Sequence, residues 1–148
     1  MGSGSFEGDL IRPLGLVTLY FGYAEFAVNA LLASMKEVGL PTEVPAVAPF
    51  GQKVACIRKT LGRVQLEGTS QVIEILEAAR PLIELRNSLV HSCIVARGRV
   101  KPNDGSEREF SVTPQQLTDL ADQIFTWKER LSSVFQRQLL PALRIRSQ

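Results

Sequence analysis

The chain has 148 residues, of which 45% are apolar and 22% are charged, and it carries a formal net charge of +2 at pH 7. This size and composition favour one globular domain, and so small a net charge is no argument for nucleic-acid binding by itself. Two cysteines and one histidine are too few for a zinc site, and the chain has neither a Gly-rich phosphate loop nor a Gly-x-Ser-x-Gly elbow. We expect neither a metal ion nor another cofactor.

The first predicted helix follows a short leader. Residues 1–9 are rich in Gly and Ser, which predicts a flexible leader, and 10–148 are predicted to form a single helical domain. Apolar side chains recur at helical spacing over 10–38. Pro13 suits the first turn of this helix, where its missing N–H does no harm, and Gly39 suits the position after the last turn.

Two further helices are predicted in the middle of the chain. A proline-containing loop over 41–50 leads to a short basic helix over 52–66. A long periodic segment over 71–95 follows, with Ser70 as its predicted N-cap. Pro81 lies inside this segment and should kink it or split it, because proline has no N–H for the helical hydrogen bond.

The pattern then changes from helical to extended. The segments 94–100 and 108–112 are short and partly β-branched, and a cluster of turn residues, 101–106, separates them. This arrangement predicts a small β-hairpin.

The last helix has the clearest start in the chain. Thr113 at the N-cap, Pro114 at N1 and Gln116 at N3 form a capping-box signature. The apolar stripe continues to about Leu140, and Pro141 should stop the helix. We therefore predict an all-α fold, an up-down antiparallel bundle of four to five helices with a small β-hairpin inserted before the last helix.

Three features favour a cytoplasmic protein without a membrane partner. Charged and polar residues interrupt the longest apolar stretch, 10–40, so no run reaches the roughly 18 to 20 residues that span a bilayer. Residues 1–9 lack the positive charge and the apolar block of a secretory signal. Cys56 and Cys93 allow one disulfide, but two small apolar side chains in a reducing cytosol explain them better.

The third predicted segment carries a polar stripe and one charge on the opposite side. At about 100° per residue, its polar side chains fall within roughly 50° of one line. They are Glu77, Arg80, Glu84, Asn87, Ser88 and His91. Arg86 falls on the apolar side, where an unpaired buried charge costs several kcal/mol. Glu25 interrupts the apolar stripe of the first helix, so we predict a buried Glu25–Arg86 pair, which either only joins two helices or holds the guanidinium at a site.

The run R-N-S-L-V-H, from Arg86 to His91, resembles the Arg-polar-x3-His signature of the HEPN family (higher eukaryotes and prokaryotes nucleotide-binding domain). An apolar first helix that carries Glu25 and Asn29 is similar to the first helix of that family. A hairpin before a leucine-rich last helix is also like many members. The resemblance covers roughly residues 10–140.

The resemblance implies a function. Much of the HEPN family consists of metal-independent RNA endonucleases that act as homodimers with one composite site, and many belong to toxin–antitoxin or other defence systems. By this resemblance His91 would move a proton, Arg86 would hold the phosphate, and Asn87 would bind the phosphate or orient the imidazole. Supporting positions would be Glu25, Glu84 and Ser88.

Two groups of basic residues flank the motif and are candidates for RNA contacts. They are Lys53, Arg58, Lys59 and Arg63 before it and Arg97, Arg99 and Lys101 after it. Either group taken alone fits an ordinary solvated face better. The predicted partners are a second copy of the chain, RNA and a cognate antitoxin protein. Two other hypotheses stay open: a catalytically silent HEPN-like dimer that binds a nucleotide or a partner, and a structural bundle in which these polar side chains satisfy one another.

Overall fold

The computed structural model describes residues 3–45, 47–96, 99–100 and 110–148. Within these residues the regular secondary structure is helical except for one pair of two-residue strands, so the predicted all-α class is confirmed. The helices are α1 (Ser3–Glu37), α2 (Phe50–Leu61), α3 (Thr69–Glu77), α4 (Ala79–Ala96), α5 (Pro114–Val134) and α6 (Leu140–Arg146), and a π-helical turn (Phe135–Leu139) lies between the last two.

The chain divides into two compact units. Unit 1 comprises Met1–Phe21 and Pro81–Phe125, and unit 2 comprises Gly22–Arg80 and Thr126–Gln148. Helices α1 and α5 each contribute residues to both units. The single domain over 10–148 stays a prediction.

Helix α1 begins earlier than the sequence predicts. It starts at Ser3, so it takes in residues 3–9 of the predicted leader, and Pro13 lies inside the helix instead of in its first turn. Adding a residue to the end of a formed helix costs far less than nucleating a new one, which explains why the helix continues past its apolar stripe. The side chains of Val17, Val28 and Met35 are fully buried.

Part of α1 meets the length and hydropathy criteria for a membrane span, although the sequence predicts no membrane partner. The segment Leu10–Glu37 contains an 18-residue window with a mean hydropathy of 1.4, and 28% of that window is buried. Averaging over a window tolerates the isolated charges that interrupt the apolar run. Core helices of soluble proteins pass the same test, so cytoplasmic localisation stays a prediction.

Glycines end α2 and precede α3. Helix α2 stops at Leu61, five residues before its predicted end, with Gly62 as its C-cap. Helix α3 begins at Thr69 and not after Ser70, because Gly68 takes the N-cap position with φ +91°. A Cβ on Gly68 would lie 2.9 Å from the Cβ of Gln138, so this position requires glycine for its conformation and for its space.

The split at Pro81 is confirmed. Helix α3 ends at Glu77 and α4 begins at Ala79, which places Pro81 in the first turn of α4. Residue i−4 from the proline is Glu77, the last residue of α3, and a continuous helix would set the proline ring against its carbonyl.

Two short strands follow α4. Arg99–Val100 pairs antiparallel with Phe110–Ser111, and Val100 lies opposite Phe110. Helix α4 extends to Ala96, so the first residues of the predicted strand 94–100 are helical. The turn cluster 101–106 lies outside the described residues, and the hairpin as a whole stays a prediction.

The capping box at the start of α5 is confirmed. The Thr113 amide donates to Oε1 of Gln116 at 2.9 Å, and the Gln116 amide donates to Oγ1 of Thr113 at 3.1 Å. The predicted stop at Pro141 is wrong, because Pro141 lies in the first turn of α6. The π-helical turn directly before it widens the backbone where the proline ring would otherwise meet the carbonyl four residues earlier.

Trp127 is a core residue, as its place on the apolar stripe predicts. Its indole Nε1 donates to the main-chain oxygen of Ile75 at 2.6 Å, and the ring of Phe50 meets it edge-on with centroids 5.8 Å apart. The hydrogen bond satisfies the one polar atom of a buried indole. Within unit 2, the hydrogen bond from Trp127 to Ile75 therefore joins α5 to α3.

Candidate active site on helix α4

The guanidinium of Arg86 rests on an aromatic ring. Its Cζ lies 4.3 Å from the ring centroid of Phe21, and its Nη1 donates to Oδ1 of Asn87 at 2.8 Å. The side chain of Arg86 is half-buried and the Phe21 ring is buried. A cation over an aromatic face is stabilised by about 0.5 to 2 kcal/mol, depending on its exposure. In both of these contacts the partner of the Arg86 guanidinium is an uncharged group, not a carboxylate.

Asn87 is oriented by its neighbour. Because its amide oxygen accepts from Arg86, its amide nitrogen keeps both hydrogens for another acceptor. The side chain is exposed. Arg86 and Asn87 together therefore present several N–H donors, the groups that bind a phosphate oxygen.

His91 is exposed, and it makes no hydrogen bond or ion pair with any residue that the structure describes. On α4, His91 lies about 140° around the axis and about 7.5 Å along it from Arg86. In a single copy of α4, the side chains of Arg86 and His91 consequently point away from different sides of the helix.

The three supporting positions differ in their surroundings. Glu84 and Ser88 are exposed on α4, and the main-chain oxygen of Ser88 accepts from Oγ of Ser92 at 2.8 Å. Glu25 is half-buried on α1 and belongs to unit 2, whereas Arg86 belongs to unit 1. The Glu25–Arg86 pair stays a prediction.

The motif stretch of α4 contains only exposed and half-buried side chains. None of the side chains over 81–91 is buried, and Leu85 is 39% exposed. The other apolar side chains of this stretch are half-buried; they are Leu82, Ile83, Leu89 and Val90. In the same unit, Leu117 and Leu120 of α5 are completely buried. Helix α4 thus exposes apolar surface around its polar motif.

The basic residues of α2 differ in availability. Lys53 is buried, and its ammonium donates to Oδ1 of Asn29 at 2.9 Å, so its charge is directed to an internal partner and not to the predicted RNA surface. Arg58 lies 4.0 Å from Glu77, and both side chains are exposed. Lys59 and Arg63 are exposed and have no partner among the described residues.

The second basic group falls mostly outside the described residues. Arg97 and Lys101 are not among them, and Arg99 is described only as a member of the first strand.

No cluster of three or more His, Cys, Asp or Glu side chains suits a metal ion within the described part of the chain. Cys56 and Cys93 are both free thiols and half-buried. Desolvation by burial raises the pKa of the Cys93 thiol above its ordinary value. This thiol is therefore a weaker nucleophile at neutral pH than an exposed one.

Comparisons of the chain with protein-family models, with curated proteins and with solved structures gave no match.

Proposed function

We propose that the protein is a metal-independent RNA endonuclease of the HEPN toxin or defence type, with a composite site at the interface of a homodimer. The observation that supports this proposal is the pair of side chains on α4. Arg86 is a fixed cation with Asn87 beside it, and His91 is a free imidazole one and a half turns away. A fixed cation and a group that can accept and donate a proton are what phosphodiester cleavage by an internal hydroxyl needs.

The reaction that these groups suit is an internal transfer. The ribose 2′-hydroxyl attacks the adjacent phosphorus, its proton passes to an imidazole, and the P–O bond to the 5′ oxygen breaks as that oxygen takes a proton. The products are a 2′,3′-cyclic phosphate and a 5′-hydroxyl. Arg86 stabilises the charge that develops on the phosphate oxygens. A dimer supplies two copies of His91, one as base and one as acid.

The dimer is part of the proposal because one α4 helix does not suffice. Arg86 and His91 lie about 140° apart around the helix axis, and a second copy of the motif would bring the missing group to the same phosphate. The incompletely covered side chains of α4, Leu85 among them, would be buried in that interface. A stable interface of standard size buries about 800 Å² per partner. A cognate antitoxin is a further proposed partner.

Two finer features of the fold belong to this proposal. The helices would form an up-down antiparallel bundle, the arrangement that short connections favour. The strands Arg99–Val100 and Phe110–Ser111 would be the arms of a hairpin before α5.

The test is cleavage of mixed RNA in EDTA by purified variants. His91→Ala should lose most of the rate, and Arg86→Ala should lose at least as much. Arg86→Lys should restore little, because a point charge does not replace a planar fork. Gln123→Ala, an exposed substitution on α5, is the matched control and should cleave like the wild type. Equal rates for all variants would overturn the proposal.

One observation favours the alternative, a catalytically silent HEPN-like dimer that binds a nucleotide or a protein partner. A catalytic imidazole is usually oriented by a hydrogen bond to its second nitrogen, and no described residue provides one to His91. Binding of RNA without cleavage, lost in Arg86→Ala and kept in His91→Ala, would support this alternative.

A further inference from the structure

A pocket of about 450 Å³ lies in unit 2, between α2 and the segment that precedes it. Its volume is within the range of about 300 to 1,000 Å³ that is usual for small-molecule sites. The preceding segment is fixed against α2 because Oγ1 of Thr60 donates to the main-chain oxygen of Pro41 at 2.8 Å. Both residues line the pocket, so this wall is tied to the helix.

Two cations face this pocket without a protein partner. Lys59 and Arg63 line it, are exposed, and make no ion pair or hydrogen bond with any described residue. Lys59 lies in the last turn of α2 and Arg63 lies two residues beyond its end, so two like charges line one pocket. Arg58 on the same helix, by contrast, lies near Glu77 and does not line the pocket. An anion between Lys59 and Arg63 would remove their repulsion.

The other polar residues that line the pocket indicate which class of ligand it suits. Glu43 also lines the pocket, and its carboxylate can only accept hydrogen bonds when ionised. It repels a bare anion but binds a hydroxyl group. Gln52 adds an amide that both donates and accepts. The lining therefore suits a molecule that carries both a phosphate and hydroxyl groups.

We propose that this pocket binds a sugar phosphate group, with the phosphate at Lys59 and Arg63 and a sugar hydroxyl at Glu43. The source is either a free sugar phosphate or the ribose phosphate backbone of an RNA. The site goes beyond the proposed nuclease, because it uses none of the groups on α4 and does not depend on cleavage.

Cys56 offers a direct reporter of occupancy. Its half-buried free thiol lines the pocket, whereas Cys93, the other free thiol, lies on α4 and does not. Alkylation of the wild-type protein by uncharged N-ethylmaleimide, followed by peptide mass spectrometry, measures both rates in one sample. Cys93 is the internal reference for effects on the reagent or on the whole fold.

Ribose 5-phosphate at ten times its dissociation constant should slow alkylation of Cys56 about tenfold, since about a tenth of the pockets are then empty. Ribose should have no effect, and the rate at Cys93 should not change. A double substitution, Lys59→Gln with Arg63→Gln, should abolish the protection. Arg130→Gln, which removes an exposed cation of unit 2 outside the pocket, should leave the protection intact.

The results of this experiment distinguish a free sugar phosphate from an RNA backbone, and both from an incorrect proposal. Protection by ribose 5-phosphate assigns the pocket to a free sugar phosphate. Protection only by unmodified RNA, tested on the His91→Ala variant so that the proposed cleavage does not consume the probe, assigns it to the RNA backbone. Protection by neither probe, or protection that survives the double substitution, overturns the proposal. If Cys56 does not react, the amide resonances of Ala55 and Cys56 during titration with the same probes give the same decision.

Discussion

The contact between Arg86 and Phe21 can be measured by a double-mutant cycle. Phe21→Leu keeps an apolar side chain at a buried position but removes the aromatic face. Arg86→Met keeps much of the side-chain volume but removes the charge and the hydrogen bond to Asn87. Losses that each substitution causes alone, such as altered packing or the lost Asn87 bond, cancel in the cycle, and the interaction between the two residues remains.

The geometry sets the expected size of that interaction. The 4.3 Å from Cζ to the ring centroid is well inside the 6 Å limit for a cation–π contact. Such contacts contribute about 0.5 to 1 kcal/mol when exposed and about 2 kcal/mol when desolvated. Arg86 is half-buried. We therefore expect a coupling of about 1 kcal/mol in the free energy of unfolding.

Urea denaturation of the four proteins at one fixed protein concentration is the assay, because the proposed dimer would make stability depend on concentration. Coupling indistinguishable from zero would refute the role that we give to Phe21. The same cycle with Glu25→Gln in place of Phe21→Leu tests the ion pair predicted from sequence. A double variant as unstable as the sum of the two single variants would contradict that pair.

Three further predictions concern assembly, packing and thiol chemistry. Light scattering at tens of micromolar should give a dimer for the wild type and a monomer for Leu85→Glu. Phe26→Glu, on the exposed surface of α1, is the control and should stay a dimer. A monomeric wild type would contradict the proposed interface on α4. Gly68→Ala should lower the free energy of unfolding in urea by about 2 to 4 kcal/mol, because it combines a left-handed backbone with a Cβ 2.9 Å from Gln138, and a loss below about 1 kcal/mol would refute this packing. Because burial raises the pKa of Cys93, its alkylation rate should reach half its maximum above the pH of about 8.5 that is usual for a thiol, and a midpoint at or below that pH would contradict the assignment.

Local signals in the sequence predicted local structure well. The reciprocal bonds between Thr113 and Gln116 involve residues three apart, so the four-residue pattern contains the whole interaction. The break before Pro81 is equally local, since it follows from one missing N–H and one steric clash. At Pro141 the rule that proline ends a helix failed, because a π-helical turn directly before it relieves the steric clash. No pattern of single residues predicts that turn.

The surroundings of Arg86 could not be predicted in the same way. Phe21 lies 65 positions away and belongs to an ordinary apolar stripe, so nothing in the sequence distinguishes it as the support of a cation. The burial of Lys53, by contrast, had a signal: Lys53, Ile57 and Thr60 fall at i, i+4 and i+7, on one face of α2, and all three are buried.

The pocket beside α2 needed the structure. The cations at Lys59 and Arg63 are visible in the sequence as part of a basic run. That they share a cavity with Glu43 depends on how the loop before α2 folds back, and the bond from Thr60 to Pro41 fixes that path. Such a contact across 19 positions has no periodic signature.

The central claim is that α4 cleaves RNA through an internal hydroxyl, and the ends of the products test it most directly. The wild type, incubated in EDTA with one end-labelled RNA, should leave a 2′,3′-cyclic phosphate, and a 2′-O-methylated copy of that RNA should stay intact. His91→Ala should reduce the rate by a factor of roughly 10² to 10⁴. Cleavage that EDTA abolishes, that magnesium restores and that His91→Ala leaves unchanged would contradict the account.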